Sequence, residues 1–221
     1  MRTNSILKKA AKFSLILPAL YFLNTKKVNA PNTEYLPIPD TRKIVVLDPG
    51  HGMGNRVEAW MDWGKSYSIY TEAEIVLEKA KKIKDMLDST KYKVILTRND
   101  NETPCPIESR PELANKVNAD LFLSLHINDF KNWKSISGSE VYWRYEKDKN
   151  LAKLAAKNIN EIADIQNRYV SWGEYLMLKE INCPAALIEL GYILNKEDAE
   201  KILNTDGIEK AIVKTIEELL K

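Results

Sequence analysis

Histidine and cysteine are scarce in this chain of 221 residues, which contains two of each. Two cysteines, Cys105 and Cys183, are too few for a four-cysteine zinc or iron–sulfur site or for a disulfide framework. We expect both to be unpaired, partly buried thiols. Any chemistry that needs an imidazole must use His51, His126 or both. This scarcity narrows the candidate site before any motif is considered.

Acidic residues are absent from the first 30 positions, which hold six of the 33 lysines and arginines. Because the whole chain has 31 acidic residues, the part after Ala30 carries more acidic than basic side chains. A basic footprint for nucleic acid is therefore missing from the part expected to fold. We expect no nucleic-acid partner.

The N-terminus combines basic residues, a mainly apolar stretch over residues 13–23 and the sequence Val28-Asn29-Ala30. The apolar stretch is short for a membrane span, which needs about 20 residues. This layout is typical of a secretory signal peptide. We predict export, with residues 1–30 as a signal peptide or, alternatively, an uncleaved N-terminal anchor, followed by a linker over residues 31–42.

Strand-like and helix-like segments alternate after this linker. Short apolar runs predict strands, and apolar positions spaced three and four residues apart predict helices. We expect strands at residues 43–48, 92–97, 121–125, 139–144, 175–178 and 185–190. We expect helices at residues 72–87, 108–118 and 148–165, and a last helix capped by Asp206. The alternation predicts an α/β sandwich with a largely parallel sheet.

Three polar residues stand at the ends of predicted buried strands. His51 follows the first strand through the turn Asp48-Pro49-Gly50, His126 directly follows the third, and Glu189 lies near the end of the last. In open α/β sheets, ligands bind beyond the carboxyl ends of the strands. Each residue could instead be an ordinary hydrogen-bonded or ion-paired side chain. Both histidines of the chain nevertheless occupy equivalent strand ends, which favours one shared site.

Two imidazoles suit zinc, and a catalytic zinc usually takes a third protein ligand. Glu72 lies four residues before Val76 and continues the apolar stripe of its predicted helix onto the first turn. Glu74 and Glu78 lie on other faces and are expected to be solvated. We therefore prefer Glu72 as the third ligand; its alternative role is that of an acid favoured by the helix dipole.

Six motifs, in this order along the chain, carry a resemblance to a known family. They are VVLDPGHG at Val45–Gly52, TEAEIVLEKA at Thr71–Ala80, LTR at Leu96–Arg98, R-x-x-x-A-N at Arg110–Asn115, ADLFLSLHIN at Ala119–Asn128 and PAALIELGYILN at Pro184–Asn195. The chain resembles the zinc-dependent N-acetylmuramoyl-L-alanine amidases of the amidase-3 type, which cut peptidoglycan. The resemblance covers residues 43–221, the expected zinc amidase domain.

The resemblance implies a twisted, mostly parallel sheet of about six strands flanked by helices in a single domain. It implies one zinc ion held by His51, Glu72 and His126, with Glu189 as the catalytic carboxylate. The implied reaction is hydrolysis of the amide between N-acetylmuramic acid and the L-alanine of the stem peptide. Peptidoglycan is the implied partner; we expect a monomer, and a protein regulator acting in trans stays open.

Three further polar residues have two readings each. Asn128 is a candidate for substrate binding or an ordinary residue of a strand-end turn. Arg98 and Arg110 could bind a stem-peptide carboxylate, but we favour structural ion pairs for both.

The chain departs from the family in the segment after His51, which is commonly Gly-rich. Here Asp62-Trp63-Gly64 is its candidate remnant, in a loop that contains the aromatic residues Trp60, Trp63, Tyr67 and Tyr70. Such rings could stack on sugar or stem-peptide surfaces, or pack the loop against the sheet. This departure affects substrate preference rather than the metal site.

Two other functions compete with the amidase. One is a zinc peptidase that cuts within the stem peptide; the other is a non-catalytic wall-binding or regulatory protein. A serine hydrolase is disfavoured because the sequence has no G-x-S-x-G motif.

Overall fold

The computed structural model describes residues 40–56, 60–130 and 134–221. The predicted leader, residues 1–30, and most of the predicted linker lie outside these ranges. Ten strands are described: β1 (Lys43–Pro49), β2 (Gly52–Met53), β3 (Met61–Asp62), β4 (Ser66–Tyr67), β5 (Tyr70–Thr71), β6 (Tyr92–Leu96), β7 (Leu121–Asn128), β8 (Ser139–Trp143), β9 (Asn167–Trp172) and β10 (Ala185–Tyr192). The α-helices are α1 (Glu72–Leu87), α2 (Ser109–Lys116), α3 (Lys149–Ile162), α4 (Leu176–Lys179), α5 (Lys196–Asn204) and α6 (Gly207–Leu219).

Six strands form the main sheet, in the order β6-β1-β7-β10-β8-β9. Neighbouring strands are parallel except for β8, which runs antiparallel to β10. In the register of β7 and β10, His126 lies opposite Glu189. The α/β class and the mostly parallel six-stranded sheet are therefore as predicted.

Alternating side chains of the central strands fill two cores. In β1, Val45 and Leu47 pack beneath α1, α3 and α6, whereas Val46 packs on the opposite face with residues of α2 and α4. All three valine and leucine side chains are fully buried. A parallel sheet needs this double cover, because neither of its faces tolerates water. Within the described ranges, no helix is both long and apolar enough to cross a membrane.

The start of α1 determines which of its glutamates faces the sheet. Thr71 is the N-cap; its side chain accepts from the backbone N–H of Glu74, and the Glu74 carboxylate accepts from the backbone N–H of Thr71. This reciprocal capping box satisfies two free N–H groups of the first turn. Glu74 is thus exposed and engaged at the cap, while Glu72 is buried against the sheet.

One predicted strand is wrong, and one strand of the main sheet was not predicted; the two-residue strands β2, β3, β4 and β5 were not predicted either. Residues 175–178 do not form a strand: α4 begins at Leu176, and the backbone N–H of Leu178 donates to the carbonyl of Tyr175. Both edges of β10 are already paired with β7 and β8, so no position beside it is left for that segment. The sixth strand of the main sheet is β9, which lies at the sheet edge. None of its residues is fully buried, and its sequence lacks the apolar alternation that marks a strand.

The last helix begins where the sequence indicated, although not through the expected cap. α6 starts at Gly207, with Asp206 in the N-cap position. The Asp206 side chain makes no cap hydrogen bond and instead forms an ion pair with Lys210, 2.9 Å away.

Candidate functional site

The predicted site residues meet at the carboxyl ends of three parallel strands. His51 follows β1, His126 lies in β7 and Glu189 lies in β10, while Glu72 opens α1. All four line one cavity of about 200 Å³. The side chains that the strand-end argument singled out therefore lie together in the structure.

A carboxylate oxygen lies between the two imidazoles. Oε1 of Glu72 is 2.9 Å from Nε2 of His51 and 3.1 Å from Nδ1 of His126. The same oxygen accepts from the backbone N–H of Ile127, and Oε2 accepts from that of Lys65. One ligand atom from each of the three residues lies within 4.8 Å of the others. This cluster is compact enough to hold one metal ion.

The chemistry of the cluster suits a cation. Burial disfavours the charged form of Glu72, but hydrogen bonds and charges from both histidines outweigh it and hold its pKa well below the usual range. Burial likewise opposes protonation of His51, yet its contacts with Asp62 and Glu72 raise its pKa to about 9. The carboxylate charges of Glu72 and Asp62 that stabilise a proton on His51 also stabilise a metal ion beside it. Two imidazoles and a carboxylate are a donor set that zinc accepts.

Asp62 is a site residue to which the sequence analysis gave no role. Its Oδ2 lies 3.0 Å from Nδ1 of His51, on the side of the ring away from Glu72. The side-chain amide of Asn55 and the backbone N–H of Gly64 both donate to Asp62 and hold it in place. Carboxylates commonly orient metal-binding histidines in this way. The only sequence signal was its position in the remnant Asp62-Trp63-Gly64.

The turn that carries His51 needs unusual backbone geometry. His51 has a φ of 64°, a region that non-glycine residues seldom adopt. At Gly50, a Cβ atom would overlap the His126 ring, so only glycine allows β1 to approach this imidazole. The turn thus brings the two histidines together, with ring centroids 4.9 Å apart.

Two buried arginines hold this turn. Arg110 forms an ion pair with Asp48 at 2.8 Å and donates to the carbonyl of His51. The prediction of a structural ion pair is therefore confirmed for Arg110. For Arg98 it is wrong: among the described residues it has no ion pair and donates instead to the carbonyls of Pro49, Gly50 and Ala73. Its guanidinium thereby links the turn to α1.

Glu189 lines the same cavity from β10, two strands away from β1 in the sheet. Burial raises its pKa to about 7, and the neighbouring carboxylates of Glu72 and Glu140 add to the effect against the opposing charges of the two histidines. Its Oε2 is buried and has no hydrogen-bond partner among the described residues. A carboxyl group with these properties can exchange a proton near neutral pH.

Asn128 also lines the cavity and donates from Nδ2 to Oε2 of Glu140, a buried residue that the sequence analysis missed.

The aromatic residues of the loop after His51 divide into two groups. Trp60, Trp63 and Tyr70 are exposed, whereas Tyr67 packs against the main core. Both suggested roles of these rings therefore have candidates.

The two cysteines are unpaired and buried, as expected, and neither lines the cavity. Burial raises the pKa of the Cys183 thiol to about 11. A thiol with so high a pKa is a poor nucleophile at neutral pH.

Comparison with known proteins identifies the family of this chain. Residues 45–220 match the family described as N-acetylmuramoyl-L-alanine amidase, amidase-3. The chain is 31% identical over 195 residues to the probable cell wall amidase LytH of Staphylococcus saprophyticus. This match covers 86% of this chain and 62% of the relative. It thus spans less than two thirds of the length of that relative.

Two solved structures have the same fold. The catalytic domain of the amidase CwlV from Bacillus (Paenibacillus) polymyxa is 27% identical, with a TM-score of 0.72 over 80% of this chain and 98% of that one. An N-acetylmuramoyl-L-alanine amidase from Clostridium difficile 630 is 28% identical, with a TM-score of 0.72; the match covers 81% of this chain and 97% of that one. The chain belongs to the amidase-3 family of N-acetylmuramoyl-L-alanine amidases.

Proposed function

We propose that the protein is a zinc-dependent amidase that hydrolyses the bond between the lactyl group of N-acetylmuramic acid and the L-alanine of the stem peptide. The observation that carries this proposal is the placement of Glu189, with its unpartnered Oε2, in the same cavity as the cluster of His51, Glu72 and His126. Family membership supplies the substrate class.

In this proposal, His51, Glu72 and His126 hold one zinc ion. When bound, zinc supplies a Lewis acid that polarises the scissile carbonyl and lowers the pKa of water. Asp62 supports this arrangement because it contacts the ring nitrogen of His51 that faces away from Glu72.

Glu189 moves the proton. It takes a proton from the water whose oxygen attacks the carbonyl carbon, and it later gives that proton to the alanine nitrogen as the C–N bond breaks. The products are a lactyl carboxylic acid and a peptide with a free N-terminal alanine. A pKa of about 7 suits both steps, because the group can accept and release a proton at nearly equal cost. Asn128 lines the same cavity and is the candidate for orienting the substrate.

The test is a product analysis with the full chain and purified peptidoglycan. We expect new N-terminal alanine and no new reducing sugar ends, with activity lost on chelation and restored by zinc. Other new N-termini would identify a peptidase that cuts within the stem peptide. No new termini of any kind, with a zinc-loaded protein, would identify a non-catalytic wall-binding protein.

The setting of the whole protein is also part of this proposal. Peptidoglycan lies outside the cytoplasm, so the proposed substrate requires export of the active domain, residues 43–221. A leader over residues 1–30 would direct that export. A regulator in trans stays a prediction. The solved CwlD amidase of Clostridioides difficile, in complex with the GerS lipoprotein, shares the fold of this chain at 24% identity.

A further inference from the structure

Glu140 is a buried acid for which the proposed reaction has no use. It lies in β8, with 1% of its surface exposed, directly opposite Glu189 in the register of β8 and β10. It does not line the cavity. A buried carboxylate is costly unless its oxygens are hydrogen-bonded. We therefore expect hydrogen-bond donors around the Glu140 carboxylate that compensate for its burial.

Four donors surround the Glu140 carboxylate. Oε1 accepts from the hydroxyl of Tyr192 at 2.5 Å and from Nε of Arg168 at 3.2 Å. Oε2 accepts from the hydroxyl of Tyr142 at 2.7 Å and from Nδ2 of Asn128 at 3.1 Å. Arg168 reaches this position next to an irregularity in the pairing of β8 and β9. Such bulges re-aim side chains. Both oxygens are therefore occupied, each by two donors.

Only one of these four partners lies on the cavity. Asn128, two residues after the proposed ligand His126, lines the cavity, whereas Tyr142, Tyr192 and Arg168 do not. Its Oδ1 accepts from the backbone N–H of Asp129, so both ends of the amide are held. An amide nitrogen has two hydrogens, and Glu140 takes one. Among the described residues, Nδ2 donates no second hydrogen bond, so its other hydrogen is available to a ligand in the cavity.

We propose that Glu140 is a positioning residue of the proposed amidase site: its Oε2 fixes the side-chain amide of Asn128, so that Nδ2 presents its second hydrogen to a carbonyl oxygen of the substrate. This proposal rests on the proposed function for the reaction, but the orientation of Asn128 can be measured without substrate. Glu140 acts through Asn128 and does not touch the reacting atoms.

The first experiment is a double-mutant cycle on the zinc-loaded full chain. Glu140→Gln keeps a single acceptor oxygen, which the charged, donor-only Arg168 holds on the Oε1 side. The NH2 group then lies beside Asn128 and Tyr142 and cannot accept a hydrogen bond from either. We expect a fall in kcat of about tenfold in the wild-type background, and less than about twofold in the Asn128→Ala background. KM should change less than kcat, because the amide is misplaced rather than removed. Equal losses in both backgrounds, or no loss from Asn128→Ala alone, would overturn the proposal.

Tyr192→Phe is the matched control, because it removes one donor from Oε1 and leaves the Oε2 side intact. We expect it to change kcat by less than about threefold, well below Glu140→Gln. A loss as large as that of Glu140→Gln would mean that the cluster acts only through the stability of the sheet. If Glu140→Gln does not fold, Glu140→Asp keeps the charge but shortens the reach toward Asn128, and the same coupling is expected.

A second readout is independent of activity. The side-chain NH2 resonances of Asn128, assigned by their absence in Asn128→Ala, should be dispersed in the wild type and move toward unstructured values in Glu140→Gln. Unchanged resonances would refute the proposed contact. A wild-type protein without amidase activity would refute the proposed function instead, and the resonances would still decide on the role of Glu140.

Discussion

The two sides of the cavity are built in different ways. On the side of His51, the backbone determines the geometry: a turn with positive φ, a glycine without room for a Cβ and two arginines that bind carbonyl groups. On the side of Glu189, strands of the main sheet carry the groups, and a network of side chains around Glu140 surrounds them.

This difference follows from what each side must do. A metal site needs three ligand atoms converging on one point, which regular strands on their own do not provide. A proton-transfer group needs a dry position and a free oxygen, and a strand in the middle of a sheet offers both. The metal side should therefore be sensitive to changes that remove ligands or backbone support, and the other side to changes in single polar groups.

The largest effect is expected for His126→Ala, which removes a proposed zinc ligand that contacts Glu72 and lies opposite Glu189 in the sheet. No other histidine is available to replace it, because the chain has only two. We expect loss of stoichiometric zinc and loss of amidase activity to background. Metal analysis of the purified protein, alongside thermal unfolding to confirm the fold, measures both. Retention of full zinc content would contradict the assignment.

Glu189→Gln should separate the two sides. It keeps the shape of the side chain but cannot accept a proton, so we expect kcat to fall about 10²- to 10⁴-fold. Zinc content should stay at the wild-type level, in contrast to His126→Ala. Near-normal turnover of peptidoglycan by this variant would show that another group moves the proton.

Asp62→Asn tests the support of His51. The neutral amide can still accept a hydrogen bond from Nδ1 of His51 but lacks the charge of the carboxylate, so we expect zinc to bind about 10- to 100-fold more weakly. At saturating zinc, kcat should change much less. Calorimetric titration of the apo-protein gives the Kd. Glu74→Gln is the matched control, because Glu74 caps α1 and lies outside the cluster; an equal weakening by both variants would argue against a specific role for Asp62.

The smallest effect concerns acid stability on the metal side. Burial opposes ionisation of Asp48, but the charge of Arg110 and hydrogen bonds from Thr97, Ser124 and Arg110 outweigh it and lower its pKa. Because the folded-state pKa is lower than that of the unfolded chain, this contribution is present above about pH 4 and is lost as the pH falls further. We expect Asp48→Asn to flatten the loss of unfolding free energy below about pH 4. Denaturant titrations of both proteins measure this; parallel curves would count against it.

Local patterns were sufficient for much of the fold. Apolar runs located β1, β6, β7 and β10, and the three- and four-residue spacing located α1 and α6. Residues 175–178 misled because Met177 and Leu178 do enter the core, but from a helix that leaves Leu176 exposed. β9 escaped notice because an edge strand needs little burial, so its sequence has no alternation to read.

The sequence by itself determined which side chains could form the site, because it offers only two histidines and places both, with Glu189, at the ends of predicted buried strands. Tertiary structure alone decided the groups that support them. Asp62 reaches His51 only because β3 pairs with β2, and Glu140 meets Asn128 only because β8 and β7 flank β10. Proximity between such residues depends on chain topology and sheet register, and neither leaves a local pattern in the sequence.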